Sequence, residues 1–227
     1  PPWDSLNLGL GCGDDATAVH RNREALAQTI GATPVYLRQV HGTQVVRLTA
    51  PLPADAPAPV ADASWTSQPG LACLVQVADC MPVLLAAPDG AAVAAAHAGW
   101  RGLAGGVVEA AARTLCEATG CAPADLCVWL GPCIGSREFE VGADVLTAFG
   151  AEPLPRDQTY FAWRPRADGA ARWRADLPGL ARARLRALGV QQVSGGEGCT
   201  VEDASRFFSF RRDGTTGRMA AAVWIRR

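Results

Sequence analysis

Apolar residues recur every three to four positions at about 20–30, 102–118, 140–149 and 175–188, which predicts four helices, the second and fourth stopping at Gly120 and Gly189. Short alternating or β-branched runs at about 35–40, 44–48, 71–77, 82–87, 91–96, 127–130, 190–193, 206–211 and 219–225 predict strands. Strands adjoin one another more often than they alternate with helices. That order predicts an α+β architecture with mixed or antiparallel sheets instead of a doubly wound parallel one. The Pro/Ala-rich stretch 50–64 and the longer segment 151–172 are expected surface loops. Neither shifts composition enough to divide the chain, so residues 1–227 are expected to form one domain.

One hairpin can be taken to residue level. In "PVLLAAPDGAAVAAAH" the Asp89-Gly90 pair is a strong two-residue turn signal, and with that turn every facing pair sums to 179. His97 then faces Pro82, two residues from Cys80, and residues two apart share a face. The spacing therefore predicts that Cys80 and His97 meet on one face at the open end of the hairpin. His41, in "VYLRQVHGTQVVRL", stands at another strand end, where sites commonly lie. Two histidines and a cysteine are a zinc donor set that leaves a fourth position for water or substrate.

Composition narrows the setting. No apolar run is long enough to span a bilayer, and a formal charge of −1 gives no global attraction to nucleic acid or membrane, although "SFRRDGTTGR" is locally basic. "PPWDSLNLGLGCGDD" lacks the basic and then apolar regions of a signal peptide, so a cytoplasmic protein is expected. The eight cysteines include no C-x-x-C pair, which excludes a zinc ribbon and a thioredoxin-like motif. Most are expected to be free thiols.

"SLNLGLGCGDD", "LRQVHGTQVV", "ADASWTSQPGLACLVQVADCMPVLLA", "AAAHAGWRGLAGGVV", "GPCIGSREFEVG" and "CTVEDASRFFSFRRDGTTGRMAAAVWI" together resemble the YfiH-type laccase-domain family, over nearly the whole chain. Members carry the labels polyphenol oxidase, purine nucleoside phosphorylase and peptidoglycan editing factor. The resemblance implies layered mixed β-sheets flanked by helices, an αββα-like fold similar to the cytotoxic necrotizing factor catalytic domain. It also implies a zinc site on His41, Cys80 and His97, the residues that the spacing selects. His20 lies outside that set and is expected to be exposed. The implied reactions are phosphorolysis of adenosine, inosine or methylthioadenosine, with phosphate as co-substrate, and adenosine deamination. A purine nucleoside is the expected small-molecule partner. Neither nucleic acid nor membrane is expected, and the chain is expected to be a monomer or weak homo-oligomer.

Such chemistry assigns roles to further residues. Arg38 and Arg101 can bind phosphate through paired guanidinium hydrogen bonds, or can form structural salt bridges. Trp100 either stacks on a base or packs over the helix start. Asn7 and Gln39 can read a purine edge or a ribose hydroxyl, with turn duty equally open to Asn7. Asp79 is the candidate carboxylate partner of a metal-bound histidine, or an ion-pair partner of Arg38. Glu140, at an expected helix start, is a general acid or base or simply a favoured carboxylate there. Cys133 is expected to be a free thiol near the site.

Three rivals remain at this level. A blue-copper set would add Met81 beside Cys80, but three histidines are too few for a multicopper cluster, and Cu2+ stands only as the alternative ion. A cysteine hydrolase acting on a cell-wall precursor would use Cys80 as nucleophile and His97 as base. A structural-zinc interaction module would need no open position. Deaminases of the H-x-E and P-C-x-x-C type are not matched by "HAG" and "GPCIG".

Overall fold

The structure, a computed structural model, describes residues 2–53 and 56–226. Positions 54 and 55, within the expected loop 50–64, lie outside the described residues. The elements in chain order are α1 (Ala16–Ile30), β1 (Thr33–Val35), β2 (Val45–Arg47), β3 (Ala63–Thr66), β4 (Leu71–Val77), β5 (Met81–Ala86) and β6 (Val93–Ala98). There follow α2 (Trp100–Gly105), α3 (Val107–Thr119), β7 (Cys127–Leu130), β8 (Glu140–Val141), α4 (Ala143–Ala148), β9 (Phe161–Trp163) and β10 (Trp173–Ala175). The chain closes with α5 (Leu177–Leu188), β11 (Gln192–Gly195), α6 (Phe210–Asp213) and β12 (Met219–Trp224).

This is the expected mixed α+β fold. A six-stranded sheet runs β11-β7-β5-β6-β3-β2, with β6 antiparallel to both neighbours and β11 parallel to β7. On one face it packs under α3 and α5, through Val83, Leu85, Ala94, Ala96 and Ala98 against Val108, Ala112 and Leu115. Its other face meets the three-stranded sheet β1-β4-β12, where Ala95 packs with Cys73 and Val75. β6 is thus buried on both sides, which explains its run of alanines: small side chains let two layers close on one central strand. His97 has the parity of Ala95, so it emerges at the end of β6 on the face opposite Ala96 and Ala98.

The hairpin follows the expected register. Pro82 pairs with His97 and Met81 with Ala98, every pair summing to 179, and Asp89 and Gly90 both take positive φ as a primed turn requires.

Elsewhere the boundaries move for identifiable reasons. The helix expected at 20–30 begins at Ala16, because Asp15 caps it by accepting the Thr17 N–H. The helix expected at 102–118 is two, α2 and α3, broken at Gly106 with φ of 100°. Residues 140–149 begin as strand β8, and α4 starts only after Gly142. Of the strand expected at 35–40, β1 ends at Val35 and Arg38 makes an isolated parallel bridge to Val60. The expected strand 206–211 is instead a turn region leading into α6, whose start is marked by Ser209 accepting the Arg212 N–H. β3, β8, β9 and β10 are too short to show a period; β9, inside the expected loop 151–172, pairs with β10 just beyond it and brings Trp163 and Trp173 together across the strands. Among the described residues, no helix is long and apolar enough to cross a membrane.

Candidate metal centre

Two side chains at strand ends and one on a loop, where a strand end was expected for His41, converge. His41 sits in the β1–β2 connection with φ of 60°, Cys80 immediately precedes β5, and His97 is on β6. Their donor atoms all lie within 4.8 Å of one another, with Cys80 Sγ 3.6 Å from His41 Nε2. The two imidazole rings meet edge to face at 4.8 Å between centroids. Gly99 makes this approach possible, because a Cβ there would stand 2.8 Å from His41 Cδ2 and 2.9 Å from Cys80 Sγ.

One buried carboxylate holds both histidines. Asp62, fully buried just before β3, accepts hydrogen bonds from the backbone N–H groups of Val40 (3.0 Å), His41 (2.9 Å) and Gly42 (2.7 Å). The same carboxylate accepts from His97 Nδ1 at 2.8 Å, and its backbone carbonyl accepts the His97 N–H at 2.7 Å. An acceptor at Nδ1 holds a ring proton there, so Nε2 is the nitrogen left to face Cys80.

These contacts set the charges. Burial alone would raise the Cys80 thiol, but hydrogen bonds from His41 and His97, with their charge, bring it down to about 6. Burial alone would lower His97, yet Asp62 and then Cys80 lift it to about 9. Burial likewise opposes ionisation of Asp62, but the hydrogen bonds from His97, Gly42 and Val40 hold its carboxyl below the usual range. The result between those values is a thiolate beside an imidazolium, with the exposed His41 ring at the rim.

His41 and Cys80 form a wall shared by two cavities, and His97 lines the larger of them. A larger one, about 450 Å³, is lined by Gly9, Leu10, Gln39, Gln76, Phe210 and Arg218. The smaller, about 190 Å³, is lined by Gly99, Trp100, Arg101, Phe139, Phe210 and Arg211. Phe210 borders both and is 57% exposed.

The remaining candidates fall in varied places. Arg101 borders the smaller cavity, its guanidinium stacked 4.2 Å over the Trp100 ring, and Trp100 also packs on the main core. Arg38 is exposed on a loop and lines neither cavity. Gln39 borders the larger cavity, but its amide is engaged by both backbone groups of Gln76, at 2.7 and 2.8 Å. Asn7 is fully buried and braces the loop through Gly9, Asp14 and the Arg218 N–H.

Asp79 is not the histidine's partner: with φ of 91° it turns to accept from Thr200 Oγ1 and the Arg211 N–H, both at 2.6 Å. Asp62 takes that place instead. Glu140 is on a strand, not at a helix start, and hydrogen bonding to Arg166 together with Arg174 and Arg172 holds its carboxyl below the usual range. Cys133 is buried, its thiol pushed up by burial, and lies outside the donor group. Met81 is fully buried in the core on the helix side, so it does not supply the axial thioether of a blue-copper set. His20 is exposed on α1. Asp62, Phe210, Arg211 and Arg218 are the neighbours that sequence reasoning did not single out.

A family model described as multi-copper polyphenol oxidoreductase laccase matches residues 1–226. The chain belongs to this family. Within the laccase-type family, the purine nucleoside phosphorylase YfiH of Escherichia coli K12 is 44% identical over 99% of this chain and 88% of its own length. A Pseudomonas aeruginosa relative, also described as a purine nucleoside phosphorylase, is 47% identical over 99% of this chain and 87% of its own. The crystal structure of Neisseria meningitidis NMB0706 is similar with a TM-score of 0.86 at 44% identity, covering 100% of this chain and 89% of that one. YlmD of Geobacillus stearothermophilus has the same TM-score at 33% identity, covering 100% and 87%.

The laccase-type family label implies metal use, and the donor set fits a metal ion. It offers two imidazole nitrogens and a thiol already inclined to ionise, with one ring oriented by a carboxylate, as zinc and copper sites require. It is one three-donor group among the described residues, not the several imidazole clusters of a multicopper centre.

Proposed function

We propose that the protein is a zinc-dependent purine nucleoside phosphorylase of the cytoplasm, acting as one domain over residues 1–227 and as a monomer or weak homo-oligomer. The descriptions of its E. coli and P. aeruginosa relatives support the substrate class. The observation that carries the reading is the position of His41 and Cys80 between one cavity large enough for a nucleoside, which His97 also lines, and a smaller one flanked by Arg101 and Arg211. Adenosine, inosine and methylthioadenosine are the substrates assigned to the larger cavity, with Phe210 presenting a ring face to the base and Arg218 a cation. Phosphate is assigned to the smaller cavity, where two guanidinium groups can pair with its oxygens.

In phosphorolysis a phosphate oxygen forms a bond to the ribose carbon as the bond from that carbon to the purine nitrogen breaks. The electron pair leaves on the purine, which takes up a proton, and ribose 1-phosphate is the second product. Arg101 and Arg211 hold the attacking anion, while the apolar wall of Leu10, Leu37 and Phe210 limits water. Held by His41, Cys80 and His97, a zinc ion would supply Lewis-acid stabilisation of developing negative charge. Deamination is the less suited reaction, because Asp62 and Asp79 both spend their carboxylates on protein donors and neither is free to shuttle protons.

The test is metal content together with base release from adenosine, with and without phosphate, in wild type and Cys80→Ala. Stoichiometric zinc and phosphate-dependent adenine release, both lost in Cys80→Ala, are expected, and Arg101→Ala and Arg211→Ala should raise the KM for phosphate. Release indifferent to phosphate would defeat the reading. A specific observation favours one alternative: a thiol lowered to about 6 beside an imidazole raised to about 9 is also the pair a cysteine hydrolase uses. A metal-free active protein that forms a covalent Cys80 adduct would establish it.

A further inference from the structure

Beyond the metal centre, the end of α3 brings two other thiols into contact. Gly120, with φ of 73°, donates its N–H to the Cys116 carbonyl at 2.7 Å and turns the chain back on the last helical turn. Cys121 follows at once, and its Sγ lies 3.9 Å from Cys116 Sγ. Both thiols are only partly buried, so small reagents reach them from solvent. The turn is held on its far side as well, where Asp125 accepts the Ala122 N–H at 2.9 Å. Other cysteines are directed elsewhere: Cys12 toward the Gly9 carbonyl, Cys73 toward the Val93 carbonyl, Cys127 toward Gln192 and Cys133 toward the Ile134 carbonyl.

We propose that Cys116 and Cys121 form an oxidisable dithiol, a modification site that a peroxide closes to a disulfide across the C-terminal cap of α3. The sulfur of one thiol attacks a peroxide oxygen, the S–O bond forms as the O–O bond breaks, and a sulfenic acid and one water result. The second sulfur then attacks the first, the S–S bond forms, and the sulfenic oxygen leaves as a second water. The two thiols together lose two electrons and two protons to one hydrogen peroxide. Burial and the neighbouring Cys121 push the Cys116 thiol up to about 11.

Closure draws together two sulfurs that the capping turn already holds 3.9 Å apart. Its structural effect is to pin the last turn of the helix whose inner face, Val108, Ala112 and Leu115, packs on the sheet that carries His97. The dithiol is separate in chemistry from the metal donors, so its closure should leave metal content unchanged.

The experiment treats the protein as purified with hydrogen peroxide, blocks the remaining thiols with iodoacetamide, and maps cysteine bonds by tandem mass spectrometry. Expected are a Cys116–Cys121 crosslink reversed by dithiothreitol, a melting temperature several degrees higher in the crosslinked form, and tight binding of one phenylarsine oxide, a dithiol probe, by the reduced protein. Cys116→Ser and Cys121→Ser should each abolish the crosslink and the arsenical binding while keeping the wild-type metal content. Sulfinic or sulfonic acid at Cys116 or Cys121 in place of a crosslink, or arsenical binding that survives both substitutions, would overturn the proposal.

Discussion

Asp62→Asn is the substitution that most directly tests how the site is built. The wild-type carboxylate accepts four hydrogen bonds of 2.7 to 3.0 Å, three from backbone N–H groups around His41 and one from His97 Nδ1. Asn keeps the shape, removes the charge and puts an NH2 group against donors. Moving His97 from 6.5 to about 9 corresponds to roughly 3 kcal/mol of preference for the charged ring, shared between Asp62 and Cys80.

Because the folded value is raised, that contribution is fully present below pH 6.5 and is lost as pH rises through about 9. The three backbone bonds instead persist wherever Asp62 is ionised. The cost of Asp62→Asn should therefore have two parts: a constant one of about 2 kcal/mol from the backbone donors, and one of about 2 kcal/mol that fades between pH 6.5 and about 9. Denaturant unfolding of the metal-free protein across this range measures both, and histidine NMR titration reads His97 directly. Chelator competition should show zinc held about 10- to 100-fold more weakly. A cost that does not change with pH, with His97 titrating as in wild type, would refute the assignment of Asp62 as the histidine's partner.

Two further outcomes bear on the same centre. Gly99→Ala places a methyl under 3 Å from His41 and Cys80, so it should cost about 1–3 kcal/mol in stability and weaken zinc at least tenfold by chelator competition; unchanged affinity would show that His41 has room to move. In the metal-free protein, alkylation of Cys80 by iodoacetamide should rise with pH through a midpoint near about 6, since the thiolate is the nucleophile. A midpoint in the ordinary thiol range would mean that His41 and His97 do not stabilise it.

What was legible in the sequence was local. The Asp-Gly turn defined the register of β5 and β6, and parity then carried Cys80 to His97 with no knowledge of the rest of the fold. Asp62 was hidden because its role depends on β3 lying beside β6, with Ala63 opposite Ala96, a pairing between segments more than thirty residues apart that leaves no periodic trace. Asp79, adjacent to Cys80, was the natural guess, but its positive φ turns the carboxylate to Thr200 and Arg211. Phe210 and Arg211 were obscured by reading 206–211 as a strand, although Ser209 followed by "FRRD" is a helix-start signal. The local basicity of that segment was visible; its placement over the smaller cavity required the tertiary fold.

The gathering of His41, Asp62, Cys80 and His97 from one loop and three strand ends has a consequence for how the protein matures. An isolated β5–β6 hairpin would carry a thiol and an imidazole but neither the third donor nor the carboxylate that aims the ring. Strong coordination must therefore wait until β3 has docked beside β6 and drawn the loop at residues 40–42 onto Asp62. A cation that binds only this finished arrangement adds its whole binding free energy to the native state, and its release would be an early sign that the central sheet has begun to part.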